Sequence, residues 1–459
     1  MKSSRLSGAS WRGELSPAIE GVGPWPSGPS RKLAEGNPQT MEPQERLKIL
    51  LCAYACEPHR GSEEGVGWNW TLQLMREHEV WVLSWSKYRE LIERELETSP
   101  LPHVHFVYYD MPSWLKPFGR SERLYYTLWQ LAVLPFARRL HRQVGFDVIH
   151  QLTYTTVEMP GMLWTLDAPF VWGPVGGGQV PPPALKSYFR SIWLVELGRA
   201  LRKQFLRLNP LVSMAARRAA CILVANQDTY RLVESLTSVP LVKASETAVR
   251  LPSDVADRAE DEIFTITWWG HFIPRKGPLL ALDVAAELRQ RGARFQLLMG
   301  GVGPWKGLVD RRIVAMGLKD NVKTLGYLTF EEMGPLYDNG DVFLFTSLQD
   351  TSGNVVLEAM SHARPVVSLD HQGAAEMLTE ECGIKVPILT KQQVVEDMAT
   401  ALQDLSRDPV RRRRMGKAGR RRVAEHYDWD QKREIAAQIY AAAVRGDTPS
   451  RARETVGAV

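Results

Sequence analysis

A chain of 459 residues and 51.9 kDa exceeds one ordinary hydrophobic core, so two domains are expected. With 44% hydrophobic and 24% charged residues it has a globular composition, and a net charge of only +5 excludes an arm-like nucleic-acid binder. Four scattered cysteines, Cys52, Cys56, Cys221 and Cys382, make neither a disulfide framework nor a zinc site, and no apolar run of about 18 residues offers a spanning helix.

Residues 1–44 are rich in Ser, Gly and Pro, lack the apolar core of a secretory signal, and read as a disordered extension with Met41 as a candidate translational start. From Leu47 onward, short β-branched and aromatic runs alternate with helical segments. The first series predicts strands over 47–54, 80–85, 104–109, 147–152, 170–173 and 220–225, with helices over 67–76, 88–96, 124–142 and 201–217. A second series predicts strands over 264–269, 294–299, 322–325, 341–346 and 365–369, with helices over 278–291, 304–316, 329–337 and 354–362. Near-continuous apolar strands separated by helices mark parallel sheets covered on both faces.

The expected fold class is therefore α/β, with two Rossmann-like, doubly wound domains facing a cleft, residues 45–250 and 251–428, and C-terminal helices. The polar stretch 248–262 reads as an interdomain linker. Helices are expected over 391–405, 409–426 and 430–444, the segment 429–446 packing back on the first domain and 447–459 forming a tail. The arginine cluster within 411–422 lacks interleaved aromatics and reads as a solvated helix face, with no nucleic-acid partner.

Four glycine-rich turns follow predicted strands, at 61–67, 173–178, 300–303 and 352–354. Gly61, Ser62, Gly301, Ser352, Gly353 and Asn354 belong to them. Glycine lets the backbone approach a ligand, and a helix N-terminus offers free N–H groups and the positive end of its dipole, which suits a diphosphate. A Walker A lysine loop is missing, as is a dinucleotide fingerprint in the first unit, which disfavours a kinase, an ATPase or a standard dehydrogenase. The loop 270–277 holds Gly270, Arg275 and Lys276, whose charges suit a pyrophosphate leaving group. Asp350 precedes a predicted helix and Glu358 lies inside it, so both can face the cleft and grip sugar hydroxyls.

These residues carry a resemblance. The second half is similar to the donor domain of glycosyltransferase family 4, retaining enzymes of the GT-B fold. Loop 270–277 resembles that family's pyrophosphate loop, 325–328 its nucleobase-flanking turn with Gly326 and Tyr327, and Asp350 through Glu358 its E-x7-E signature. In the first half, the segments 57–70 and 172–179 look like a subgroup of these enzymes.

The resemblance implies bacterial glycan assembly: transfer of a sugar from a nucleotide-diphosphate sugar to a glycan or lipid-linked acceptor, with retained configuration. It implies no cofactor and no metal, the nucleotide sugar being a co-substrate. It places the acceptor on the first domain and the donor on the second. Carried over by position, Lys276, Asp350 and His150 are the catalytic residues, Lys276 on the diphosphate and the other two by the donor sugar, whereas His150 taken alone reads as a strand-end core histidine. Glu358 would hold the donor ribose, and Gly61, Ser62, Gly270, Arg275, Gly301, Gly326, Tyr327, Ser352, Gly353 and Asn354 would complete the donor site. The chain departs from the family pattern at Asp350, where Glu is usual, and at His271, where Arg is usual and Arg275 is a candidate substitute.

Between 184 and 220 eight basic residues face the single acid Glu196, with Tyr188, Phe189, Trp193 and Phe205 interleaved. That pattern suits peripheral contact with an anionic membrane, and equally a basic acceptor cleft. The localisation implied is cytoplasmic, at the inner face of a membrane. Two other readings of the same fold stand beside the transferase: a non-catalytic sugar-nucleotide or glycan-binding protein, and a sugar-nucleotide epimerase.

Overall fold

The computed structural model describes residues 46–116, 122–189, 192–255 and 263–447; of 122–123 and 330–331 it describes the backbone alone. The expected N-terminal extension, the tail from 448, Arg190 and the linker residues 256–262 lie outside these residues.

Two sheets, every pair of strands parallel, carry the fold. The first contains β1 (Lys48–Cys52), β2 (Glu79–Trp85), β3 (Val104–Tyr109), β4 (Val148–Gln151), β5 (Phe170–Val175), β6 (Ala219–Val224) and β7 (Leu241–Lys243), in the order β3-β2-β1-β4-β5-β6-β7. The second contains β8 (Phe264–Trp269), β9 (Phe295–Gly300), β10 (Val322–Gly326), β11 (Val342–Phe345), β12 (Val366–Leu369) and β13 (Gly383–Val386), in the order β10-β9-β8-β11-β12-β13. Burial on both faces explains the unbroken apolar character of β5 and β11 and the mostly apolar β1 and β8.

In each sheet the strand order reverses once, between β1 and β4 and between β8 and β11. Loops leaving neighbouring strands at such a point run to opposite faces and open a crevice at the carboxyl ends. The loops after β1, β8 and β11 are those holding Gly61, Lys276 and Asp350.

Several features tie the halves together. Val249, within the expected linker, is buried and donates its N–H to the Tyr427 carbonyl (3.0 Å), so the two chain crossings run side by side. Beyond them, the last helix, Trp429–Arg445, buries Trp429, Ile439 and Tyr440 in the first core. In the other direction, Leu185, Tyr188 and Phe189 leave the first half and join the second core, where the Tyr188 hydroxyl donates to Asp283 (2.8 Å).

Several sequence expectations change. The helix expected over 124–142 is two, Glu122–Ala132 and Leu134–Val144, because Pro135 has no N–H to continue the first. The helix expected over 201–217 is replaced by Trp193–Gln204 and Pro210–Arg218, the second capped by the Asn209 side chain. Strands β7 and β13, of three and four residues, carry no alternation that periodicity could register. The arginines of helix Pro409–His426 are only partly a solvated face: Arg412 pairs with Asp341 at 3.2 Å, Arg420 donates to the Ser361 and Pro252 carbonyls, and Arg422 to Met377.

Candidate active site

The first helix begins at Ser62, five residues before the sequence pattern suggests, with Glu64 in its first turn favourable to its positive end. Gly61 is its N-cap, and Ser62 takes a left-handed conformation (φ 62°) rare for a residue with a side chain. Across the cleft mouth Arg60 donates to the Tyr327 hydroxyl at 2.5 Å, so the loop after β1 meets the turn after β10.

On the donor side, the loop after β8 folds against the loop after β11. The Arg275 carbonyl accepts from the Leu348 N–H (2.7 Å), which fixes the two loops to each other while the Arg275 side chain stays exposed. Lys276 and Asp350 form an ion pair, each only partly exposed. Gln372 holds the Asp350 backbone N–H at 2.8 Å and donates to Val180 of the other half at 3.1 Å. His271 is exposed and turns its ring nitrogen to the Val302 carbonyl (3.3 Å). At Gly301 (φ 139°) an added Cβ would stand 1.9 Å from the Gly270 carbonyl oxygen, so this crossing of loops needs glycine.

Gly353, with φ 79°, is the N-cap of helix Asn354–Ser361 and points that helix's free N–H groups at the cleft. One turn in, Glu358 accepts a hydrogen bond from the buried Tyr337 hydroxyl (2.9 Å). Burial pushes the Glu358 carboxyl up to about 7, with the Tyr337 hydrogen bond opposing the shift. Ser352 is turned across the cleft and donates to Glu246 at 2.6 Å.

His150 stands apart. It is fully buried, its Nε2–H donates to the Gly173 carbonyl (2.6 Å), and its Nδ1 accepts from the Tyr440 hydroxyl (2.6 Å). Burial lowers it to about 4, so the ring is neutral. With both nitrogens used inside the protein it has nothing to offer a sugar, which corrects the expectation of a catalytic histidine there; it is a core histidine at the end of β4.

Sequence reasoning passed over a second layer of charge. Glu63 accepts from the Tyr154 N–H, and burial together with the neighbouring Glu246 carboxylate raises it to about 8. Glu246 is itself raised by burial, lies within the fields of Asp350, Lys276 and Lys432, and sits after β7 in a stretch without a motif. Lys432 donates to the Ser245 carbonyl and is lowered to about 7 by burial. Glu63 was legible as part of the 61–67 turn; the others come together only through the tertiary crossing.

The geometry is that of two Rossmann-like domains whose switch-point loops bring a helix start, the Lys276–Asp350 ion pair and the half-buried Glu358 to the cleft: the GT-B fold. Residues 263–408 match the family described as Glycosyl transferases group 1. The chain is 26% identical over 240 residues to the alpha-D-kanosaminyltransferase of Streptomyces kanamyceticus, covering 49% of this chain and 61% of that relative. It thus spans less than two thirds of that relative's length. Among solved structures it is similar to sucrose-phosphate synthase from Thermosynechococcus elongatus, with 16% identity, a TM-score of 0.62, and coverage of 88% of this chain and 100% of that one. It is also similar to Anabaena HepE in complex with UDP, with 14% identity, a TM-score of 0.56, and coverage of 86% and 100%. Among the described residues, no helix is long and apolar enough to cross a membrane.

Proposed function

We propose that this chain is a retaining glycosyltransferase that moves a hexosyl group from a nucleotide-diphosphate sugar to a hydroxyl of a glycan or lipid-linked acceptor, without a metal. One observation carries the reading: the switch points of both sheets open on one cleft, where Lys276, Asp350, the helix start at Gly353 and Glu358 converge. The likeness to a kanosaminyltransferase and to a UDP-bound neighbour supports a nucleotide-sugar donor.

In this scheme the donor diphosphate displaces Asp350 from Lys276. Lys276, Arg275 and the free N–H groups after Gly353 then stabilise the departing diphosphate, and Asp350 turns to a sugar hydroxyl. Glu358, ionised, holds the ribose hydroxyls, and Tyr337 orients it. The acceptor hydroxyl approaches from the first domain on the face the diphosphate leaves, and the contacts across the cleft mouth keep water out. Four buried free thiols fit work in the reducing cytoplasm, at the inner face of a membrane.

The test is to incubate the protein with UDP-, GDP-, ADP- and TDP-sugars and candidate acceptors in the presence of EDTA, and to read the product anomer by proton NMR. One donor class should give a product of retained configuration, lost in Lys276→Ala. Turnover that rearranges the donor sugar without an acceptor would replace this reading by an epimerase.

A further inference from the structure

We propose that the segment 193–218 is an interfacial docking surface that seats its apolar face in the headgroup boundary of an anionic lipid bilayer. The helix Trp193–Gln204 is built the reverse of a helix that covers a core. Leu194, Leu197 and Leu201 recur at three- and four-residue spacing on one face, and they are 75, 43 and 49% exposed. Phe205 and Leu208 extend the apolar face through the following turn at 61 and 77% exposed. The helix's one acid, Glu196, points the other way and is 2% exposed, paired with Arg199. The next helix, Pro210–Arg218, repeats the arrangement: Val212, Ala215 and Ala216 pack inward while Leu211 and Met214 stay exposed. Large apolar side chains facing outward in a contiguous run mark an interaction surface.

Charge selects the occupant. Arg207, Arg217 and Arg218 are exposed around the apolar face, and 193–218 contains no acid besides the buried Glu196. A second copy of the chain would bring the same positive surface against it, whereas an anionic bilayer supplies the opposite charge and an apolar layer together. The segment is wired to the cleft: Lys203 donates to the Gln179 carbonyl, which also accepts from Gln349 (3.1 Å) in the loop that holds Asp350. Docking therefore sets the cleft rim at the lipid surface and, resting on the transferase reading, makes the acceptor a lipid-anchored molecule.

The test uses the full chain and sucrose-loaded vesicles of phosphatidylglycerol with phosphatidylcholine, or of phosphatidylcholine alone, read by sedimentation. The wild type should partition onto the anionic vesicles at least about tenfold more strongly than onto the neutral ones. Leu201→Glu with Phe205→Glu, and separately Arg217→Glu with Arg218→Glu, should each weaken that binding about tenfold or more with unchanged melting temperature, because these side chains are exposed. Wild type left in the supernatant, or both variants sedimenting as the wild type does, overturns the proposal. So does a wild-type dimer by light scattering that the leucine–phenylalanine variant splits, which would make a second copy the occupant. Nucleotide-sugar binding by the same preparations separates the two readings: if it persists while vesicle binding is absent, only the docking proposal falls.

Discussion

Replacing Tyr337 by Phe isolates the carboxylate that the donor-site account depends on. The ring is buried edge-on against Trp269 and stacked on His362, so Phe keeps the packing and removes only the hydroxyl 2.9 Å from Glu358. A hydrogen bond to a charged group is worth about 1.5–3 kcal/mol, or roughly one to two pKa units at about 1.4 kcal/mol per unit. Its loss favours the protonated acid, so the Glu358 carboxyl moves further up from about 7. At pH 7.5 the ionised fraction then falls from about three quarters to about a tenth. If ionised Glu358 holds the donor ribose, calorimetric titration with the matching nucleoside diphosphate should show affinity about eightfold weaker in Tyr337→Phe at pH 7.5. The two proteins should converge near pH 9.5. An equal loss at every pH, or an unmoved midpoint, would refute the argument that the phenol acts through the carboxylate's ionisation.

Other consequences follow from geometry. The neutral, buried His150 has its folded-state value lowered from 6.5 to about 4, so its contribution is present above pH 6.5 and is lost as pH falls toward 4. The stability advantage of the wild type over His150→Gln, measured by urea unfolding, should shrink by about 2 kcal/mol between pH 7 and 4.5; a gap constant over that range would contradict the buried neutral ring. Gly277 has φ 66°, and an added Cβ would stand 2.1 Å from the Thr346 carbonyl oxygen. Gly277→Ala should therefore cost at least about 2 kcal/mol of stability and displace Lys276, with donor affinity falling as well; an unchanged urea midpoint would show that the loop gives way freely.

Much of the fold was readable because buried parallel strands are near-continuous apolar runs: β3 and β8 fall where the pattern puts them, and the rest shift by a few residues. Short β7 and β13 were not, since three or four residues at a sheet edge leave no period to detect. The two long helices of the first half were misjudged where Pro135 and Pro210 restart the chain. Lys276, Asp350 and Gly353 were legible because loops after β8 and β11 meet at the switch point whatever their details. His150 stayed ambiguous because a strand-end histidine looks the same in sequence whether it faces a ligand or Tyr440, which lies on the last helix. The carboxyl pair of Glu63 and Glu246 was invisible for a related reason: its members come from the start of the first helix and the segment after β7.

The proposed transferase activity turns on Lys276 and its surroundings binding the diphosphate of a nucleotide sugar. Saturation-transfer NMR with UDP-, GDP-, ADP- and TDP-sugars, on the wild type and on Lys276→Ala, tests it most directly. Binding of one nucleotide class, weakened at least about tenfold in the variant, is the predicted result, in line with the loss of a charge-assisted contact. Binding undiminished in Lys276→Ala, or no nucleotide sugar bound by the wild type, would contradict it.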